Sequence, residues 1–151
     1  MSESTLPLFP QLILKRSDQI LLLRRAPTSK FYGGYWHLPT GKIEKNESPL
    51  ETIIREAHEE VGMIIKPKLV LTVYNRIESF FDATKIWQDV CLFFEAEALD
   101  QDPVNVEPNK HDKMAWFKVD NMPDKMIPHI QFGIEAYSKG QHYAEYINAA
   151  S

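Results

Sequence analysis

The stretch that most constrains this chain runs from Gly41 to Met63, GKIEKNESPLETIIREAHEEVGM. It opens as a polar loop, Gly41 to Glu47, and continues as a helix with both ends marked. Ser48 is a good N-cap, and Pro49 suits the first helical position, whose N–H would have no intrahelical acceptor. Glu51 stands three residues after the cap, within reach of its backbone N–H, and Gly62 supplies a left-handed stop. Between these signals Leu50, Ile53, Ile54, Ala57 and Val61 recur at helical spacing and form an apolar stripe. Glu56, Glu59 and Glu60 fall together on a flank of the helix, since residues three and four apart are neighbours. Like charges so placed repel, and burying the stripe needs none of them. The pattern asks for a cation.

A hard divalent ion meets that need. Mg²⁺ takes oxygen ligands in an octahedron, keeps several waters, and binds a few carboxylates together with substrate phosphates. Gly41, with no side chain to block close approach, is the best-placed source of a backbone carbonyl. The competing reading is a solvated acidic helix face, and Glu59-Glu60 alone does not decide between the two.

The wider spacing does. Gly41, five residues, Glu47, seven residues, Arg55-Glu56, Ala57, His58, Glu59-Glu60, Val61, Gly62, Met63 resembles the Nudix box of the Nudix hydrolases. All seven fixed positions match and apolar residues fill both semi-fixed ones, although Ala57 is small for its slot. With each fixed residue at about one in twenty, chance at a given start is on the order of one in 10⁹. One departure lies just upstream: related sequences read Trp-x-Leu-Pro-Gly-Gly where this chain has Trp36-His37-Leu38-Pro39-Thr40-Gly41.

At 151 residues the chain is expected to be one domain over 1–151, with 1–5 a loose polar tail. A net charge of −4 gives no reason to expect a nucleic-acid polymer as partner, but a bound metal can reverse the local sign for a phosphate-rich small molecule. Cys91 is the only cysteine and lies in an apolar run, which marks an inert core thiol. No apolar stretch reaches transmembrane length and the start lacks a signal-peptide pattern, so the expectation is a cytoplasmic protein without a membrane partner.

Along the chain, Leu6 to Lys15 and Gln19 to Arg25 read as a hairpin about Arg16-Ser17-Asp18, the second strand apolar enough to be buried on both faces. Ala26 to Tyr35, with Pro27, Gly33-Gly34 and three aromatics, is a loop that either stacks a base or closes the edge of the core. His37 is expected to point outward from a short strand. Leu69 to Ser79 and Ile86 to Ala98 make a second hairpin about Phe80 to Lys85, Leu99 to Asp112 a polar loop, and Met114 to Val119 a short strand. A last helix runs from Pro128 to Lys139, with Ile130, Ile134 and Tyr137 inward and Gly140 as its stop. The tail His142 to Ile147 is open between a packed end and a dimer contact, so monomer and homodimer both stand. Strands, helix, strands and helix fit a mixed sheet with a helix on each face, an α/β architecture that agrees with the Nudix α/β/α sandwich.

The resemblance implies a hydrolase that uses Mg²⁺, or Mn²⁺ in its place, to cleave a diphosphate linked to a further group on a small-molecule nucleotide. It implies Glu56, Glu59 and Glu60 as metal ligands beside the Gly41 carbonyl, and Glu47 with Arg55 as an ion pair that fixes the loop on the helix. For the general base it offers Glu56 or Glu59 within the box, or Glu107 on a distant loop, with the box glutamate preferred because a complete motif implies its place in the site and only loop position that of Glu107; Glu44 is a weaker alternative. Arg24 or Arg25 would meet substrate phosphates, and Tyr35 is an aromatic candidate for the base or sugar. MutT-type enzymes that clear oxidised dGTP carry an asparagine near the last helix; Pro123 to Pro128 has none, and Asn121 lies too early. The alternative function is a Nudix-fold sensor that binds a nucleotide without turning it over. An EF-hand is excluded because no Asp-rich twelve-residue loop exists.

Overall fold

Why the first hairpin forms is plain from its side chains. In the strand β1 (Leu8–Arg16) and the strand β2 (Gln19–Arg25), successive apolar residues point to opposite faces, and both faces are covered. Ile13, Ile20 and Leu22 face one core, Leu12, Leu14, Leu21 and Leu23 the other. A computed structural model of the chain describes residues 2–79, 82 and 84–149. Its remaining elements are β3 (Trp36–His37), α1 (Pro49–Val61), β4 (Lys68–Glu78), β5 (Ile86–Glu97), β6 (His111–Lys118), α2 (Pro128–Ser138) and β7 (Tyr143–Asn148).

The strands make one mixed sheet in the order β3-β2-β1-β5-β4-β7, with β6 added along β2. β1 pairs β5 in parallel from Leu8↔Val90 to Lys15↔Glu97, but pairs β2 only at the turn, Lys15↔Ile20 and Arg16↔Gln19. On its other edge β2 pairs β6 along its whole length, from Gln19↔Lys118 to Arg25↔His111. α1 covers one face through Ile53, Ala57 and Val61, and α2 covers the other through Ile130, Ile134 and Ala136. The α/β/α sandwich with a helix on each face is therefore the fold. Gly133 lets α2 sit directly on Phe93, since a Cβ there would stand 2.2 Å from the ring Cζ.

Helix α1 keeps both predicted ends: the Ser48–Glu51 capping box is complete, and Gly62 turns left-handed at φ 67°. Its buried stripe differs from the predicted one. Leu50 and Ile54 are exposed, while Thr52 and Glu60 are buried with Ile53, Ala57 and Val61. The helix is rotated towards the box loop, where Thr52 donates to Glu47 Oε1 at 2.6 Å and Glu60 accepts from the Thr40 N–H at 3.2 Å.

Two other expectations change. β6 begins at His111, three residues early, because the β2 edge pairs with it that far. The C-terminal tail is a packed end, one of its two readings: β7 pairs in parallel with β4 from Thr72↔Tyr143 to Ile77↔Asn148. His37 is buried, not outward, because β3 lies against β2 at Leu23↔His37 and its ring packs 5.2 Å from that of His111. The expected Phe80–Lys85 turn includes Phe80, Phe81 and Ala83, which lie outside the described residues. Among the described residues, no helix is long and apolar enough to cross a membrane.

Candidate active site

The box loop is held to the helix by one guanidinium. Arg55 donates from Nε to Glu47 Oε2 at 2.8 Å and from Nη2 to Glu47 Oε1 at 3.0 Å, the two-pronged geometry that suits a carboxylate. A third bond, from Nη2 to the Lys42 carbonyl at 3.1 Å, ties the loop backbone. Arg55 and Thr52 hold the Glu47 carboxyl down to a pKa of about 2. Arg55 Nη1 also reaches Glu56 at 2.6 Å and Glu59 at 3.1 Å. The cation demanded by the acidic flank is thus, in part, a residue of the box itself.

The three glutamates do not share one environment. Glu59 is half-exposed and held by Arg55 on the outside of the helix. Glu56 and Glu60 line a cavity of about 530 Å³, whose wall also includes Arg25, Gly41, Lys42, Glu107, Lys110 and His111. Glu60, 3% exposed, has its pKa pushed up to about 9, chiefly by burial and then by a hydrogen bond and charge repulsion from Glu56. The two carboxyls repel each other here, and a cation would serve both. Among the described residues no three His, Cys, Asp or Glu side chains are grouped tightly enough to hold an ion, and Glu59 is bonded to Arg55. The donors nonetheless fit a hard divalent ion: all are oxygens, and the backbone of Gly41 passes so near Glu56 that a Cβ would come within 2.4 Å of its Oε1.

Thr40, the departure from the related sequences, leaves this loop in place. Its hydroxyl donates to the Pro10 carbonyl at 2.7 Å and its N–H faces Glu60, so the side chain fastens the loop to β1.

The strand alternation separates the two arginines. Arg24 faces away and forms an ion pair with Asp112, Nε to Oδ1 at 2.8 Å. Arg25 faces the cavity, fixed by the Phe31 carbonyl at 2.7 Å and the Ser29 hydroxyl at 2.9 Å. Tyr35 lies with Tyr32, 5.2 Å between ring centres, against the α2-side core and is not on the cavity wall. Glu107 is not remote from the helix. Val104 N donates to the Val61 carbonyl at 2.9 Å and Val106 N to the Glu60 carbonyl at 3.2 Å, which docks the loop on the last turn of α1. Lys110 pairs with Glu107 at 2.9 Å. Glu44 is exposed, 3.7 Å from Arg55.

Sequence reasoning missed His111, Lys110 and Lys42. His111 Nε2 stands 3.7 Å from Glu60, and its Nδ1, like His37 Nε2, is buried without a hydrogen-bond partner among the described residues. Burial lowers the pKa of both imidazoles, that of His37 to about 3. The one signal available was that His111 ends a polar loop where a strand begins.

The chain matches the model of the NUDIX domain over residues 11–136. It is 28% identical over 131 residues to an uncharacterized Nudix hydrolase, YvcI, of Bacillus subtilis, covering 85% of this chain and 77% of that protein. It is 32% identical over 63 residues to an 8-oxo-dGTP diphosphatase of Proteus vulgaris; that match covers 42% of this chain and 55% of the relative, about half its length. Among solved structures, a MutT NUDIX hydrolase from Burkholderia pseudomallei superposes with a TM-score of 0.75 at 24% identity, over 87% of this chain and 98% of that one.

Proposed function

This chain is a member of the Nudix hydrolase family, and we propose that it is a Mg²⁺-dependent pyrophosphohydrolase that cleaves a nucleoside diphosphate linked to a further group. The observation that carries this reading is the meeting of Glu56, Glu60 and Glu107 with Arg25, Lys42 and Lys110 around one cavity. Cations alone would bind a phosphate chain and carboxylates alone would repel it; the mixture suits a polyanion that arrives with a metal. The Proteus relative, named for action on a nucleoside triphosphate, supports the same class.

Glu56, Glu60 and the Gly41 carbonyl would hold the ion, with Glu59 adjoining from the rim. Bound there, the ion neutralises phosphate charge and lowers an electrostatic barrier. The protein's own residues do the rest. Arg25 is fixed through Nε and Nη2 and has Nη1 left for a phosphate oxygen. Water attacks phosphorus, its oxygen forms the new P–O bond, the bridging P–O bond breaks, and the proton passes to Glu107. We assign the base to Glu107 over Glu56 or Glu59, the preference from sequence alone. Glu56 is engaged by Arg55 and would hold the ion, Glu59 lies outside the cavity, and Glu107, though paired with Lys110, stands on a loop docked on α1.

The test is a hydrolysis screen with Mg²⁺ or Mn²⁺ over nucleoside triphosphates, nucleotide sugars, dinucleoside polyphosphates and capped RNA ends, each repeated in excess EDTA. Turnover that EDTA abolishes is expected. Metal and nucleotide binding without turnover across the panel would instead identify a sensor.

A further inference from the structure

Beside the cavity of the box glutamates lies a second chamber of about 190 Å³ that the hydrolysis above does not use. The two share Phe9, Arg25, His37 and Thr40 as walls. The far wall of the second chamber is polar and belongs to the sheet, with Gln11 from β1 and Asp89 from β5. A third space of about 250 Å³ opens on the same Asp89 and is bounded by the rings of Phe9, Phe31 and Trp87.

Asp89 is only 5% exposed, and a carboxylate at that depth ordinarily has a cation beside it. Here its hydrogen bonds come from neutral groups, Asn75 Nδ2 to Oδ1 at 2.8 Å and Trp87 Nε1 to Oδ2 at 2.7 Å. Each oxygen keeps a lone pair free after those bonds. Gln11, 4% exposed on the same chamber, gives its Nε2 to Cys91 Sγ and has no partner for its Oε1 among the described residues. Burial lowers the pKa of His129 on the adjoining wall against the pull of Asp89, and raises that of the Cys91 thiol. The wall therefore offers acceptors, and aromatic rings border the space in front of it.

Such a wall selects a flat ligand that brings donors. A ring N–H next to an exocyclic NH₂ sets two donors side by side, and these meet the two oxygens of one carboxylate in parallel. Guanine and pterin carry that edge; adenine and cytosine alternate donor with acceptor, and uracil has a single N–H between two carbonyls. We infer that Asp89, with Gln11 beside it, is the specificity determinant of this site and reads the N–H/NH₂ edge of a guanine- or pterin-type base whose phosphates lie against the box glutamates. The inference rests on the nucleotide reading given above. Its strength comes from the buried acceptors: a site built to bond an N–H discriminates sharply against an analogue that leaves them unpaired.

The experiment is calorimetric titration in Mg²⁺ buffer with GMP, IMP, AMP and neopterin, none of which contains a diphosphate to cleave. IMP differs from GMP only by the missing amino group. GMP, neopterin or both should bind at least about tenfold more tightly than IMP and AMP, the usual range for a hydrogen bond to a charged group. Comparison of GMP with neopterin separates the two sources of the edge. Asp89→Asn, nearly isosteric, should abolish the preference, and Gln11→Leu should weaken it, each checked for folding by a thermal melt. Should either variant not fold, the wild-type comparison of GMP and neopterin with IMP still decides. Equal binding of GMP, neopterin and IMP, or an Asp89→Asn protein with its preference intact, overturns the inference. Because no turnover is read, that failure leaves the hydrolase reading standing, whereas absence of hydrolysis in the earlier screen strikes that reading alone.

Discussion

Replacing Gly41 by alanine separates the needs of the site from those of the fold. A Cβ at Gly41 would stand 2.2 Å from Glu56 Cδ, 2.4 Å from Oε1 and 2.5 Å from Cγ. Carbon atoms pack at about 3.5–4.0 Å, so the carboxylate must retreat by roughly 1.5 Å. It can do so cheaply for stability, because it is the end of a flexible side chain and not backbone. The retreat breaks the 2.6 Å contact with Arg55 Nη1 and takes Glu56 off the cavity wall. A charge-assisted hydrogen bond contributes about 1.5–3 kcal/mol, which corresponds to a loss of roughly tenfold to a hundredfold in rate. The assay is initial rate against Mg²⁺ concentration, paired with a thermal melt. Gly41→Ala should lower kcat/KM by that factor and raise the Mg²⁺ requirement, with Tm falling by about 3–12 °C, the cost of that one bond in a chain of this length. Wild-type rates at every Mg²⁺ concentration would refute the reasoning, and a collapse of Tm would show that the glycine serves the fold.

Gly133→Ala should do the opposite: its Cβ meets the buried Phe93 ring at 2.2 Å, an overpacking that costs about 1–3 kcal/mol or more in urea unfolding while activity per folded molecule holds. Glu107→Gln should lower kcat about 10²–10⁴-fold with Mg²⁺ affinity nearly intact, and a loss of only a few-fold would return the base to Glu56. Glu60 gives a pH signature in metal-free protein. Its folded pKa of about 9 lies above the ordinary carboxyl value of 4.5, so the folded state keeps a proton that the unfolded chain has released. That contribution is complete below pH 4.5 and is lost as pH rises through 9; urea unfolding in EDTA at pH 6 and pH 9 should show the decline in wild type and a smaller one in Glu60→Gln.

What was legible in the sequence was local. The Ser48 cap, the Gly62 stop and the apolar run Ile20–Leu23 each depend on neighbours in the chain, and each stands where the residues put it. Periodicity also grouped the α1 side chains correctly in angle but could not say which side faces inward. That choice is made by Thr40 and Glu47, whose bonds to Glu60 and Thr52 turn the helix away from Leu50 and Ile54. Arg24 and Arg25 illustrate the same limit: alternation guarantees that they face opposite ways, and only the neighbouring strand decides which one meets the cavity. The meeting of His37, His111 and Glu107 was out of reach for a different reason, although Glu107 itself stood among the candidate bases. They come together through β2 pairing and through a loop bonded to helix carbonyls, contacts between segments dozens of residues apart.

The carbonyls of Glu60 and Val61 belong to the end of α1 that a helix cannot satisfy by itself. Val106 and Val104 satisfy them, and the residue that follows is Glu107. The backbone freedom of this carboxylate is therefore surrendered once, when the chain folds, and the ordering entropy belongs to the stability of the protein. Each arriving nucleotide meets the group already in place, so its binding energy is not drawn down by freezing a loop at every turnover.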